Sequence, residues 1–478
     1  MKLTPPFSET MLNSRWLLPV ALLVALGLGW LAGQVGTLVP GMLLGITMLV
    51  FFLVLIFLNP RAGFISYIVY CFVLGYIGRH VTGIPFGLGM DGLLVLTWLG
   101  VIFHRSEQIT WTRAKNDLSL LGVVWFGITV LEIANPSRPS VAGWFYEMRN
   151  ISLYWLLTVP LGFVLFNKRR DLRLFLLLII GFSLLASFYG LKQKVIGVDA
   201  MEQMWLDAGA AETHLIWGKL RIFGFYSEAA QFGSSQAHIS LICFILALGP
   251  FAWWKRVSFG LASVILLYGM LISGTRGAMF VLVAGILVYL LLSKQTKVLL
   301  IGCMLAVGAF GVLKYTNIGN GNPDVFRLRS SLDPNDPSLQ LRLTNQATLR
   351  AYLSTKPFGE GVGTIGTWGH EFNKDKFIST IEPDSYYVKI WAEYGIVGFI
   401  IWFGMMLYIL GKCCGIVWRI RNPQLRQQLL ALTAGFSGIL FCSYGNEIMN
   451  QVPTAMIVYI SWVFVFLGPE LDKASPTA

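Results

Sequence analysis

The sequence predicts an all-α, polytopic transmembrane helical protein of about 12–14 spans, with a large extracytoplasmic loop that contains short helices. Three observations carry that reading. Of the 478 residues 55% are hydrophobic and 13% charged, with a mean hydropathy of +0.66, where soluble domains carry roughly 25% charge. Apolar runs of about 20 residues recur from end to end, the length that crosses about 30 Å of hydrocarbon. The runs are long and do not alternate. Backbone groups in lipid must pair within their own segment, so such runs are helices; barrel strands would be shorter and alternating.

Lys2 and Arg15 precede an apolar run from Trp16 to about Gly36, and no small-x-small cleavage site follows it. It reads as the first membrane helix rather than a removed signal. Further spans are expected at 39–58, 62–79, 90–104, 118–134, 148–166, 172–191, 230–252, 257–275, 277–293, 298–315, 386–411, 428–446 and 453–468. Four parts follow: N-terminal membrane helices with a first outward loop (1–229), core membrane helices (230–315), a long extracytoplasmic loop (316–385) and C-terminal membrane helices (386–478). Cys71, Cys243, Cys303, Cys413, Cys414 and Cys442 fall in predicted helices or at a cytoplasmic edge, so no disulfide framework is implied.

A net charge of +12 could suggest nucleic acid. In a membrane chain, basic residues instead anchor cytoplasmic loops and meet anionic lipid, so membrane lipid is the expected partner and nucleic acid is not. With the N-terminus inside, Arg61, Arg105, Lys168, Arg169, Arg170, Lys255, Arg256, Lys294, Lys412 and Arg419 all fall on short inner loops. Most outward basic residues lie in two long segments, about 192–229 and 314–389, which translocate irrespective of charge. The second is punctuated by NIGNGNPD and SLDPNDPS. A helical stretch follows over 339–354, where Leu339, Leu343, Ala347 and Tyr352 recur and Arg342, Arg350 and Lys356 sit among them. A loop of this length inside a compact protein is uncommon unless it works.

Several soluble-enzyme signals fall away. Gly361, Gly363 and Gly366 satisfy GxGxxG, but no strand precedes them, and the match reads as chance or a flexible turn. His80, His104, His214, His238 and His370 show no metal spacing. Asp324, Asp333 and Asp336 lack an EF-hand pattern, so no metal site and no cofactor is expected. The outward arginines are harder to set aside. Arg276 in SGTRGAMF lies between two spans with almost no loop, where an arginine is often a snorkelling anchor. Arg221 opens RIFGFYSEAAQFG, with Glu228 and Gln231 entering the membrane region, where ionisable groups default to functional hypotheses. Guanidinium forks suit phosphate and diphosphate.

The order SGTRGA, a long outward loop, RLTNQATLRAYLSTKPFGEGVG and then PDSYYVKIWAEYGIVG resembles the bacterial O-antigen ligase and O-antigen polymerase family over roughly 265–400. The family shows an SRGA-like turn, an arginine opening a loop helix, a proline-to-glycine turn, and an HNSY-to-AExGxxG run entering the next helix. The resemblance implies a metal-independent membrane glycosyltransferase whose extracytoplasmic loop, 316–385, is catalytic. It implies as donor a glycan on undecaprenyl diphosphate, and as acceptor a sugar hydroxyl of a glycan or lipid-linked acceptor, at the outer face of the bacterial inner membrane. Arg276 and Arg342 match the family's essential arginines, which are thought to hold the diphosphate. Where the ligases place a histidine this chain has Asp384, which favours a polymerase or another acceptor class over a lipopolysaccharide-core ligase.

Asp384 is then the expected base, or else an N-cap of the span that follows, with Glu382 and His370 in reserve. Arg221, Glu228, Gln231, Arg350 and Tyr386 complete the expected substrate-binding set. Two rival readings are a transporter or flippase of lipid-linked oligosaccharide, which should show inverted repeats and charged broken helices, and a non-catalytic envelope scaffold.

The charge pattern makes residues 193–229 and 314–389 face away from the cytoplasm. In a variant lacking the native cysteines, a thiol at Asn335 is therefore expected to react with an impermeant reagent in intact cells. Reaction only after the inner face is opened would reverse the orientation.

Overall fold

The structure, a computed structural model, describes residues 17–35, 38–81, 83, 85–103, 110–216, 218–294 and 335–473, with scattered positions between 300 and 329. The expected span at 298–315 lies largely outside these residues, and so do Cys303, Asp324 and Asp333.

Helices dominate. In chain order the longer ones are α1 (Leu17–Val35), α2 (Leu38–Leu58), α3 (Pro60–His80), α4 (Gly87–Phe103), α5 (Asp117–Leu131), α6 (Val141–Met148), α7 (Tyr154–Leu165), α8 (Arg169–Val195), α9 (Ala229–Ala247), α10 (Trp253–Ile272), α11 (Met279–Leu292), α12 (Pro337–Leu353), α13 (Gly366–Phe372), α14 (Tyr386–Arg419), α15 (Pro423–Cys442) and α16 (Thr454–Phe466). A hairpin of Leu215–Ile216 with Lys219–Leu220 holds the only strands among the described residues. By length and composition, 8 described helical runs can cross a membrane, α6 and α7 counting as one run over Val141–Leu165. Each expected span other than 298–315 coincides with a described helix. The chain is a polytopic all-α membrane protein.

Helix starts follow local chemistry. The Asn116 side chain accepts the Ser119 N–H at 3.1 Å and opens α5. Asn422 accepts from Leu425 at 3.0 Å to open α15, with Pro423 in the first turn. Asp336 does the same for α12 through Leu339 at 3.1 Å, ahead of Pro337. Short acceptors at the cap and proline just inside are the expected N-terminal signature.

The chain falls into two compact units: residues 1–63 with 96–104, and residues 64–95 with 105–478. In the first, α2 keeps nearly all of its apolar side chains exposed, as suits a helix surrounded by hydrocarbon. In the second, α9 is the centre. It is 89% buried over its apolar window and packs against α8, α10, α11 and α15. Two of its polar residues are paired across helices: Ser240 Oγ donates to the Ser263 carbonyl at 2.8 Å, and Ser187 Oγ to Gln236 Oε1 at 3.0 Å. Small hydroxyl residues serve here as the close-packing contacts of a membrane bundle.

α14 begins at the site described below and is broken at Gly395, whose φ of 66° and ψ of −171° leave the helical region. A break of this kind strips carbonyls of their helical donors. The KPFGEG turn supplies replacements: the Glu360 N–H donates to the Ala392 carbonyl and the Gly361 N–H to the Glu393 carbonyl, both at 2.9 Å. In return the Val397 N–H donates to the Pro357 carbonyl at 3.2 Å. Backbones meet so closely that a Cβ on Gly359, at φ 75°, would lie 2.4 Å from the Gly395 nitrogen. The two sequence motifs are therefore one structural joint.

Gly359→Ala is accordingly expected to cost at least about 2 kcal/mol through clash and positive-φ strain. Thermal unfolding of the purified chain in detergent would register it. Gly404→Ala, on the same helix with nothing within 4 Å, should leave the midpoint unchanged or raise it.

Candidate active site

The α10–α11 junction places Arg276 at the start of a short helical turn, Arg276–Ala278. Its Nη1 lies 2.5 Å from Asp336 Oδ2, and that same carboxylate caps α12 through its other oxygen. The arginine of the first motif is thus tied to the beginning of the helix that carries the second. On α12, Arg342 and Asn345 share a face, being three residues apart. Asn345 Nδ2 reaches the Glu382 carbonyl at 3.4 Å, which turns that face toward the segment holding Asp384.

Asp384 precedes α14, and it is not the cap. Ser385 is the N-cap, its hydroxyl accepting from the Val388 N–H at 3.4 Å. The expected capping role falls one residue late because Asp384 sits at φ 50°, a left-handed conformation that a capping residue does not use. Its carboxylate makes no hydrogen bond with the described residues. Burial pushes its pKa above the ordinary value; the Arg342 charge works against that rise, and Glu382 and Glu447 add to it. Arg342 also forms no hydrogen bond among the described residues.

The 443–447 turn closes the arrangement. The Tyr386 N–H donates to the Ser443 carbonyl at 3.0 Å. Cys442 Sγ donates to the Gly277 carbonyl at 3.2 Å, beside Arg276. A Cβ on Gly445 would stand 3.6 Å from Arg342 Nη1. Arg276, Arg342 and Asp384 are therefore gathered from three separate stretches of chain around one turn, which is a fourth.

The remaining expected residues divide. Arg221 is drawn in: its Nη2 reaches Thr275 Oγ1 at 3.2 Å, next to Arg276, while Nη1 bonds the Thr213 carbonyl at 3.0 Å. Glu228 precedes α9 and accepts from Gln451 Nε2 at 2.8 Å; burial pushes its carboxyl up. Gln231 is wholly buried, accepting from the Ser227 hydroxyl at 2.7 Å and donating to the Val452 carbonyl. Tyr386 is buried, its ring edge-on to Trp402 at 5.3 Å, and contributes its backbone rather than its phenol. Arg350 is exposed and lies roughly 12 Å further along α12 than Arg342. His370 and Glu382 pair with each other at 2.7 Å on the surface.

Two features escaped the sequence reading. The GxGxxG glycines form a buried turn docked on α6 and α14, where Glu393 Oε1 accepts the Gly363 N–H at 2.9 Å and Asn373 Nδ2 bonds the Gly363 carbonyl at 2.9 Å. The flexible-turn reading is corrected: the turn is buried, all three glycines have positive φ, and a Cβ on Gly363 would stand 2.4 Å from the Gly143 backbone while one on Gly361 would strike the Pro139 ring. The second feature is a buried charge cluster in which Lys389 Nζ meets Glu147 Oε2 at 3.0 Å and Glu447 Oε2 at 3.1 Å. Lys389 inside a predicted span, with Glu147 and Glu447 at the edges of two others, was its available signal. The cluster borders a cavity of about 460 Å³ that Gln231, Tyr146, Trp368 and Gln451 also line.

No curated protein matches the chain. Residues 261–403 match the family model described as O-antigen ligase, a stretch that runs from α10 through Arg276, Arg342 and Asp384 and past the Gly395 break in α14. The motifs, their convergence on one turn and this match agree: over residues 261–403 the chain is similar to the O-antigen ligase family of membrane proteins.

Proposed function

We propose that the chain is an envelope polysaccharide polymerase or O-antigen ligase-like glycosyltransferase. It moves a glycan from undecaprenyl diphosphate to an acceptor sugar hydroxyl at the outer face of the bacterial inner membrane. The observation that carries this reading is the gathering of Arg276, Arg342 and an uncommitted Asp384 at the 442–447 turn, inside the segment that matches the ligase family.

In this reading Arg276 and Arg342 hold the donor's diphosphate, with Arg221 behind them at Thr275. The acceptor hydroxyl gives its proton to Asp384 as its oxygen bonds the anomeric carbon. The bond from that carbon to the diphosphate oxygen breaks, and the diphosphate leaves with the electron pair. The guanidiniums meet its charge, the kind of stabilisation that makes a separate general acid unnecessary. Burial favours Asp384 as a base, since a carboxylate at its ordinary pKa accepts protons poorly. Glu228, Gln231, Arg350 and Tyr386 surround the substrate path or support it.

Arg276→Lys and Arg342→Lys keep the charge and lose the planar fork. Each should slow consumption of lipid-linked donor by purified protein on the order of 10- to 100-fold, the worth of a charge-assisted hydrogen bond. Near-full turnover in both, at normal expression, would make them snorkelling anchors and remove the proposal.

For Asp384 the sign is fixed by its upward shift: the base works when ionised, so turnover should fall as pH drops through a value above the ordinary carboxylate range. Asp384→Asn tolerates the same left-handed backbone and should lose about 10²-fold or more with donor binding retained. Asp384→His should recover part of the loss. Normal turnover in the Asn variant would pass the role of base to Glu382 or His370.

A further inference from the structure

The cavity beside the Lys389 cluster has a lining that none of the residues assigned above explains. We infer that it is a subsite for a neutral, hydroxyl-rich sugar ring. The inference deepens the reading above and rests on it for the identity of the glycan. At about 460 Å³ the cavity falls within the range of small-molecule sites.

Unmet hydrogen bonds indicate what the cavity takes. Asn450 Oδ1 and Gln451 Oε1 line the cavity and have no hydrogen-bond partner among the described residues, although Asn450 is only 6% exposed. The Gln451 amide is oriented by its donation to Glu228, which leaves its oxygen as a buried acceptor in the wall of the cavity. Buried acceptors without donors are costly and call for a ligand that brings O–H groups. An anionic ligand is disfavoured because the cations at the wall are already matched. Lys389 lies between Glu147 and Glu447, and Arg149 Nη2 is 2.6 Å from Asp91 Oδ2. A hydrocarbon chain would leave the amide oxygens unsatisfied.

Aromatic rings complete the fit. Tyr146 and Trp368 both line the cavity and stack at 4.7 Å, with Phe372 packed against both, 5.5 Å from Tyr146 and 6.1 Å from Trp368. A flat aromatic surface beside amide acceptors offers an apolar platform for ring C–H groups and polar partners for ring hydroxyls. Glu447 belongs both to the cavity wall and to the 443–447 turn, and its charge is felt by Asp384, which links the cavity electrostatically to the proposed base.

The test uses the purified full-length chain in detergent and two probes. One is the soluble glycan freed by mild acid from the host's own lipid-linked pool; the other is undecaprenyl diphosphate without sugar. Saturation-transfer NMR should show the soluble glycan binding, with affinity cut at least about tenfold in Trp368→Ala and in Asn450→Ala. Undecaprenyl diphosphate should bind both variants as it binds the wild type, which also shows that they are folded. Arg276→Lys should do the reverse, weakening undecaprenyl diphosphate and sparing the glycan. No transfer to the soluble glycan, or equal transfer in wild type and both variants, overturns the subsite. Glycan binding without any undecaprenyl diphosphate binding keeps the subsite and sinks the donor reading. Competition then assigns the source: displacement by excess intact donor makes this the donor's own sugar site, and co-binding makes it the acceptor's.

Discussion

The joint between the KPFGEG turn and the broken helix α14 is the constraint on which the site depends. A membrane helix cannot lose hydrogen bonds without replacement, because no water is present to take them over. At Gly395 the replacements come from Glu360 and Gly361, so the loop is fastened to the helix by the main chain itself. Everything downstream inherits that fastening. Glu393 is held over Gly363, Asn373 joins Gly363 to the Ser140 N–H at 2.8 Å, and α12 enters from a loop whose far end cannot drift. Backbone bonds of this kind care about register and spacing more than about side-chain chemistry.

Much of the fold was legible in the sequence because membrane helices announce themselves by length and hydropathy. The loop helix was legible for a different reason: Asp336 and Pro337 make a cap and a first turn, and Arg342 then falls on a defined face. The arginines and Asp384 could be named from local motifs. Their convergence could not, since it depends on the 442–447 turn, a short polar stretch between two apolar spans that carries no pattern of its own. Lys389 was legible as an ionisable group inside a span and Glu147 as one at the edge of another, but their pairing joins distant parts of the chain and has no local signature.

Asp384 shows how a correct residue can be misread in detail. A short acidic residue ahead of an apolar helix is a reasonable N-cap, and the neighbouring Ser385 takes that role instead. What distinguishes them is a backbone angle, φ 50°, which sequence does not display for a non-glycine residue. Released from capping, the carboxylate is partly withdrawn from water, and the Arg342 charge offsets part of that loss without forming a tight pair with it.

Asp336 has a consequence of its own. One carboxylate serves both as the lid on the first turn of α12 and as the counter-ion of Arg276. The two duties are thermodynamically linked: whatever draws the guanidinium toward another anion alters the free energy of the cap, and a change in the cap returns an equal change in the affinity for that anion. A cap is worth about 1 kcal/mol, enough to shift such an affinity several-fold. The start of α12 is thereby an energetic gauge of what Arg276 holds, read at a point where the chain enters the loop.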